Sequence, residues 1–195
     1  AFALKVSALG DFEYEMDAKI LHFTSFLSAR YAVTKGDWNG LPIEIYHHPE
    51  HDRNVQRMIE SVQHSLDYYT KHYGPYQHRQ VRILEFPRYA SFAQSFPNTI
   101  PYSESIGFIA KVEDPDEDVD YVYNVTAHEI AHQWWAHQIV GGSQQGATVL
   151  SESLSEYSAL RVMQERHGEE HIRRYLEYSL DGYLRGCAGE REKEL

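Results

Sequence analysis

The chain has 195 residues, of which 42% are hydrophobic and 13% aromatic; that is enough for one sizeable core and excludes a disordered or fibrous protein. A formal net charge of −11 excludes a nucleic-acid partner, because phosphate binding needs a basic face. With Cys187 as its one cysteine, the sequence excludes an internal disulfide and a cysteine-based metal cluster, and it leaves the compartment open.

In chain order, residues 1–46 are rich in β-branched and aromatic side chains, and LPIEIYHH (41–48) alternates as a strand should. The first residues carry no basic segment followed by an apolar run, so they do not read as a secretory leader. Pro49 is expected to open a helix, PEHDRNVQRMIESVQHSLDYYTKHYGPY. In it Val55, Met58, Val62, Leu66, Tyr69 and Tyr73 recur at three- and four-residue steps as one apolar stripe. Gly74 and Pro75 end it. QVRILEF (80–86) reads as a strand buried on both faces, and SIGFIAKV (105–112) as another. Between them, residues 87–105 form a loop of a length that usually serves function.

The acidic run EDPDEDVD (113–120) reads as a solvated turn that favours the N-terminus of the next helix. Helices are expected over about 121–138, 151–167 and 169–185, with Gly168 separating the last two. No stretch reaches the roughly 18 apolar residues of a membrane helix, so no direct membrane insertion by this segment is expected. The end, GCAGEREKEL, stops in a charged helical pattern, and the chain reads as a piece of a longer protein.

The chemistry concentrates in NVTAHEIAHQWWAHQ (124–138). Residues four apart on a helix differ by about 40° in direction and about 6 Å along the axis. His128 and His132 therefore present their imidazoles to one point, as a tetrahedral zinc ion requires, and Glu129 sits beside that face. In a chain with 12 histidines such a motif also arises by chance, so it needs a second observation. The following helix supplies one: Glu152, with nineteen residues between it and His132, and Glu156 one turn later on the same face. A His–His–Glu set with an open fourth position is the ligand pattern of catalytic zinc. Glu156 is placed to orient His128 through its second ring nitrogen, or to be the ligand itself with Glu152 outside the set; spacing allows both. On a continuous helix His137 faces away from His128, and Trp134 and Trp135 read as packing residues.

NVTAHEIAHQWW followed by LSESLSEYSAL resembles the zinc aminopeptidases of the aminopeptidase N type, and more closely bacterial domains of that family associated with ABC-transporter permeases. The resemblance covers roughly residues 40–185. It implies an α+β fold: a thermolysin-like zincin catalytic domain, a mixed sheet plus helices, over 46–195 and truncated at its C-terminus. Residues 1–45 would be the last strands of a β-rich domain before it.

The resemblance further implies one zinc ion per chain on the gluzincin set His128, His132 and Glu152, with Glu129 as the catalytic base. The substrate would be a peptide, and the partner the remainder of a longer, membrane-attached parent chain. In the family a G-x-M-E-N motif supplies the glutamate that binds the substrate's α-amino group. Here PYSESIGF stands in that place, with Glu104 twenty-four positions before His128 and without the glycine, methionine and asparagine. The family also places eighteen residues between the second histidine and the glutamate, a position held here by Ser151. Glu152 needs one more residue, which the glycine-rich GGSQQGA connection is expected to absorb. The tyrosine that stabilises the family's oxyanion lies far downstream of the glutamate ligand, and Tyr175, Tyr178 and Tyr183 are not assigned that role. The expected activity is zinc-dependent removal of N-terminal residues from peptides. The rival readings are a weakly active or inactive peptide-binding module of a transporter-associated protein, a closed structural zinc site, and a zinc hydrolase of non-peptide substrates.

Overall fold

The computed structural model describes residues 2–6, 12–16, 27–112 and 119–188. Strands β1 (Phe2–Val6) and β2 (Phe12–Met16) pair antiparallel as a two-stranded sheet. Among the described residues a second sheet runs in the order β3 (Ala32–Trp38), β4 (Leu41–His47), β5 (Val81–Phe86), β6 (Thr99–Ser103). Its first pair is antiparallel and the next two are parallel, so the sheet is mixed. Asn39 and Gly40, both at positive φ, close the β3–β4 hairpin with Trp38 opposite Leu41. Two such residues match the twist of the strands they join. The expected domain boundary at residue 45 falls inside β4, which is bonded to β3 on one side and β5 on the other.

Among the described residues four α-helices accompany the sheet: α1 (Val55–Tyr73), α2 (Tyr121–Ala131), α3 (Leu154–His167) and α4 (Glu169–Ala188). The core joins Ile43, Ile45, Ile83 and Ile100 of the sheet to Met58, Val62 and Leu66 of α1, Ala127 and Ile130 of α2, and Val162 and Met163 of α3. Each fully buried large apolar side chain contributes roughly 1.5–3 kcal/mol, so these contacts fix α2 between α1 and α3. Among the described residues no helix is long and apolar enough to cross a membrane.

Several expectations are corrected. Helix α1 starts at Val55 rather than at Pro49, because His48 and His51 are drawn to the Glu85 carboxylate and hold the intervening chain in turns. Strand β5 alternates rather than burying both faces: Val81, Ile83 and Glu85 point inward while Arg82 and Leu84 are partly exposed. The strand expected at 105–112 is a series of turns, and the strand lies instead at Thr99–Ser103, inside the expected loop. Pro101, a residue depleted in strands, concealed it. Asn54 explains the turns, since its side chain donates to the carbonyls of Gly107 (2.6 Å) and Ala110 (2.8 Å), which frees them from any strand partner. Gly107 passes so close to Tyr102 that a Cβ would stand 2.5 Å from its ring.

Residues 113–118 of the acidic run lie outside the described residues, but Asp120 is buried rather than solvated. It caps α2 by accepting from the Tyr123 N–H and pairs with Arg57 at 3.2 Å.

Candidate metal centre

Helix α2 ends at Ala131 rather than near 138, yet His132 keeps helical geometry and its N–H reaches the His128 carbonyl at 3.2 Å. The spacing of the two imidazoles survives, with ring centroids 4.7 Å apart. Beyond them the chain turns away because Gln133 spends its amide on the neighbouring segment. It donates to Ser95 Oγ (2.7 Å) and the Phe96 carbonyl (3.0 Å), and accepts from the Asn98 N–H (2.8 Å). Consequently His137 is not placed by helical phase at all; its Nε2 lies 3.3 Å from the Ser95 carbonyl. Trp134 is buried against Tyr69 and Tyr76, and Trp135 packs on Tyr73, as packing residues should.

Glu152 arrives from a five-residue π turn, Val149–Ser153, that leads directly into α3. An inserted residue in a helix is commonly taken up as such a wide turn. Glu152 Oε2 lies 3.3 Å from His128 Nε2 and 3.5 Å from His132 Nε2. One donor atom from each of the three residues falls within 4.8 Å of the others.

The far sides of both rings are occupied. His128 Nδ1 is 3.0 Å from Glu156 Oε2, and His132 Nδ1 is 3.1 Å from the Trp135 carbonyl and 3.0 Å from Ser155 Oγ. A carboxylate or a carbonyl only accepts, so each Nδ1 can donate to its partner, which leaves each Nε2 directed at Glu152. Glu152 stands on the Nε2 side of His128 and Glu156 on the Nδ1 side. The two rings and the Glu152 carboxylate therefore fit a divalent cation of the zinc type by donor chemistry.

Charge fits as well. Burial alone would depress His128, but its hydrogen bond to Glu156 and the charges of Glu129, Glu156 and Glu152 overcome it and raise the imidazole above its usual value. Burial lowers His132. Burial also works against ionisation of Glu156, and the bond and charge of His128 outweigh it, so that carboxyl is held below the usual range. Glu129 is 6% exposed, and burial, with the nearby Glu152 charge, pushes its carboxyl up to about 7 against the pull of His128. That is the poise a general base needs near neutral pH. The cleft in front is open and lined by His128, Glu152, Ser153, Glu156, Tyr157 and Leu160.

Glu104 lies just past β6. Its carboxylate faces Arg88, whose N–H donates to it at 3.2 Å, and His51, whose Nδ1 is 3.9 Å away. His51 also pairs with the buried Glu85 at 2.5 Å. These residues gather at the carboxyl ends of β4, β5 and β6, and sequence reasoning found only Glu104 among them. It also missed Ser155, the Trp135 carbonyl, and Tyr175, whose hydroxyl donates to Glu156 Oε1 at 2.9 Å. Ser155, three residues after Glu152 in the first turn of α3, was the one with a usable local signal.

The model of the peptidase family M1 domain matches residues 57–186, about two-thirds of the chain. A probable aminopeptidase 1 from Sulfurisphaera tokodaii is 32% identical over 85 residues, which is 42% of this chain and 10% of that protein. The matched stretch thus spans about a tenth of that relative's length.

Proposed function

The chain belongs to peptidase family M1, and on that premise we propose that it is the zinc-dependent catalytic domain of an aminopeptidase. His128, His132 and Glu152 would hold the zinc. When bound there, zinc supplies acidification of a water molecule and polarisation of the scissile carbonyl. Glu129 takes the proton from the attacking water and delivers it to the leaving amine; its elevated carboxyl suits both halves of that task. Glu156 and the Trp135 carbonyl keep the two imidazoles in the tautomer that faces the cation. Glu104 would receive the free α-ammonium of the peptide, a pairing of opposite charges that selects the chain end. The observation that carries the reading is the convergence of two imidazole Nε2 atoms and one carboxylate oxygen beside a buried carboxyl.

Elemental analysis after dialysis tests the cation, with wild type beside Glu152→Ala and Glu156→Ala. One zinc per chain is expected in wild type and in Glu156→Ala, the latter more weakly bound, and none in Glu152→Ala. Peptide assays then test the activity, using one sequence with a free and with an acetylated N-terminus. Cleavage of the free peptide alone supports an aminopeptidase. Equal cleavage of both would replace it with an endopeptidase, and zinc without cleavage would favour a peptide-binding module.

A further inference from the structure

Asn124 and His128 stand one turn apart on α2, and between them runs a closed chain of side chains that leaves the helix and returns. Asn124 Nδ2 donates to the Tyr175 hydroxyl at 2.6 Å; that hydroxyl donates to Glu156 Oε1 at 2.9 Å; Glu156 Oε2 accepts from His128 Nδ1 at 3.0 Å. The chain therefore passes from α2 to α4, to α3, and back to α2. A phenol hydroxyl has one proton to give, so accepting from Asn124 directs that proton onto Glu156. Removing it leaves Glu156 Oε1 without its phenol donor, and that carboxylate is what fixes the ring of His128.

Helix α4 gives the chain its weight. Its apolar side chains beyond this point, Leu176, Tyr178, Leu180, Tyr183 and Leu184, are all exposed. Its inward residues are His171, which is buried, Ile172, which packs on the core, and Tyr175. The helix is thus fastened along one short stretch, and the end of that stretch touches the group that orients His128.

We propose that Tyr175 is a positioning residue that couples the seating of α4 to cation binding at His128, His132 and Glu152; the proposal rests on the zinc reading given above. A cation on Nε2 leaves the proton on Nδ1, which Glu156 accepts in its observed pose, and Tyr175 helps to hold that carboxylate while α4 is docked. Linkage makes the effect reciprocal: binding zinc tightens α4, and loosening α4 weakens zinc.

The test compares wild type, Tyr175→Phe and the exposed-face control Tyr178→Phe, reading zinc affinity by competition with a chromophoric chelator and amide exchange with and without zinc. Partners that orient a metal-bound histidine are worth roughly 10–100-fold in affinity, so Tyr175→Phe is expected to weaken zinc by about tenfold. Tyr178→Phe should bind as wild type does. Zinc should slow exchange across 169–188 in wild type and fail to do so in Tyr175→Phe, while slowing α2 in both. If Tyr175→Phe does not fold, Asn124→Ala opens the same ring from α2 and takes its place, with weaker zinc again expected. Equal zinc affinity in the variant, or α4 exchange indifferent to zinc in wild type, overturns the coupling alone. Absence of zinc from wild type would overturn the reading of the centre, and the coupling with it.

Discussion

Two clusters of histidine and glutamate stand among the described residues, and in each one the donor atoms of three residues lie within 4.8 Å of one another. In the cluster at the carboxyl ends of β4–β6, His51 spends its own Nδ1 on Glu85, Glu85 also accepts the His48 N–H, and Arg88 lies beside Glu104. Positive and negative groups close on each other. In the α2–α3 cluster both Nδ1 atoms are turned outward to acceptors, both Nε2 atoms face one carboxylate, and no lysine or arginine among the described ion pairs reaches Glu152 or Glu156. Composition is therefore not what distinguishes a cation site. What distinguishes it is where the ring protons go and whether the carboxylates already have a counter-charge.

The strongest way to break that comparison is to remove the group that only one cluster possesses, a buried carboxyl without an ion-pair partner. Glu129→Gln should lower peptide turnover by about 10²–10⁴-fold while zinc content stays at the wild-type level. Loss of zinc together with activity would show that Glu129 builds the centre instead of working in it. A second comparison sets like against like: Glu152→Ala should abolish zinc retention on dialysis, whereas Glu85→Gln should leave it untouched. Glu85→Gln should instead lower unfolding stability by about 1–3 kcal/mol, because it unbalances a buried, fully bonded group. Two zinc ions per wild-type chain, one of them lost with Glu85→Gln, would erase the distinction between the clusters.

The pH dependence sharpens the same contrast. The Glu129 carboxyl sits at about 7 in the folded protein and near 4.5 when unfolded. Between those values the folded state binds the extra proton, so metal-free stability falls as pH rises from about 4.5 and levels off above 7. Glu129→Gln should therefore stabilise the metal-free protein at pH 8, by up to about 3 kcal/mol, and make no difference at pH 4. Urea melts at the two pH values check it. Zinc, by favouring the carboxylate, should shrink the pH 8 difference.

The parts of the centre legible in the sequence are those a single helix dictates. His128 and His132 follow from the 3.6-residue period, and Glu156 from its place in the first turn of α3, whereas Glu152 sits in the π turn before it. The rest depends on partners far away in the chain. Glu85 meets His51 across 34 residues, and Tyr175 meets Asn124 across 51, with no local pattern to announce either. The same limit explains the misplaced elements. Thr99–Ser103 forms a strand because β5 offers it a parallel edge, in spite of Pro101. Residues 105–112 lose their strand to the Asn54 side chain, and α2 stops early because Gln133 is recruited by residues 95–98. The apolar stripe of α1 was readable because a helix facing one sheet needs nothing but its own period to bury the correct side.

The smallest expected effect concerns Arg88, whose side chain is 71% exposed and 3.6 Å from Glu104. Exposed ion pairs are worth about 0–1 kcal/mol, since water screens them and two long side chains must be held still. Arg88→Ala also keeps the backbone N–H that Glu104 accepts, so the carboxylate retains its nearest donor. Stability should drop by less than about 1 kcal/mol in low salt and by less still in 1 M salt, where the screening length is about 3 Å. Zinc content should not change. A larger drop that persists in high salt would mean that the second cluster depends on Arg88 to neutralise two carboxylates around one imidazole, and that its charge closure is more fragile than its geometry indicates.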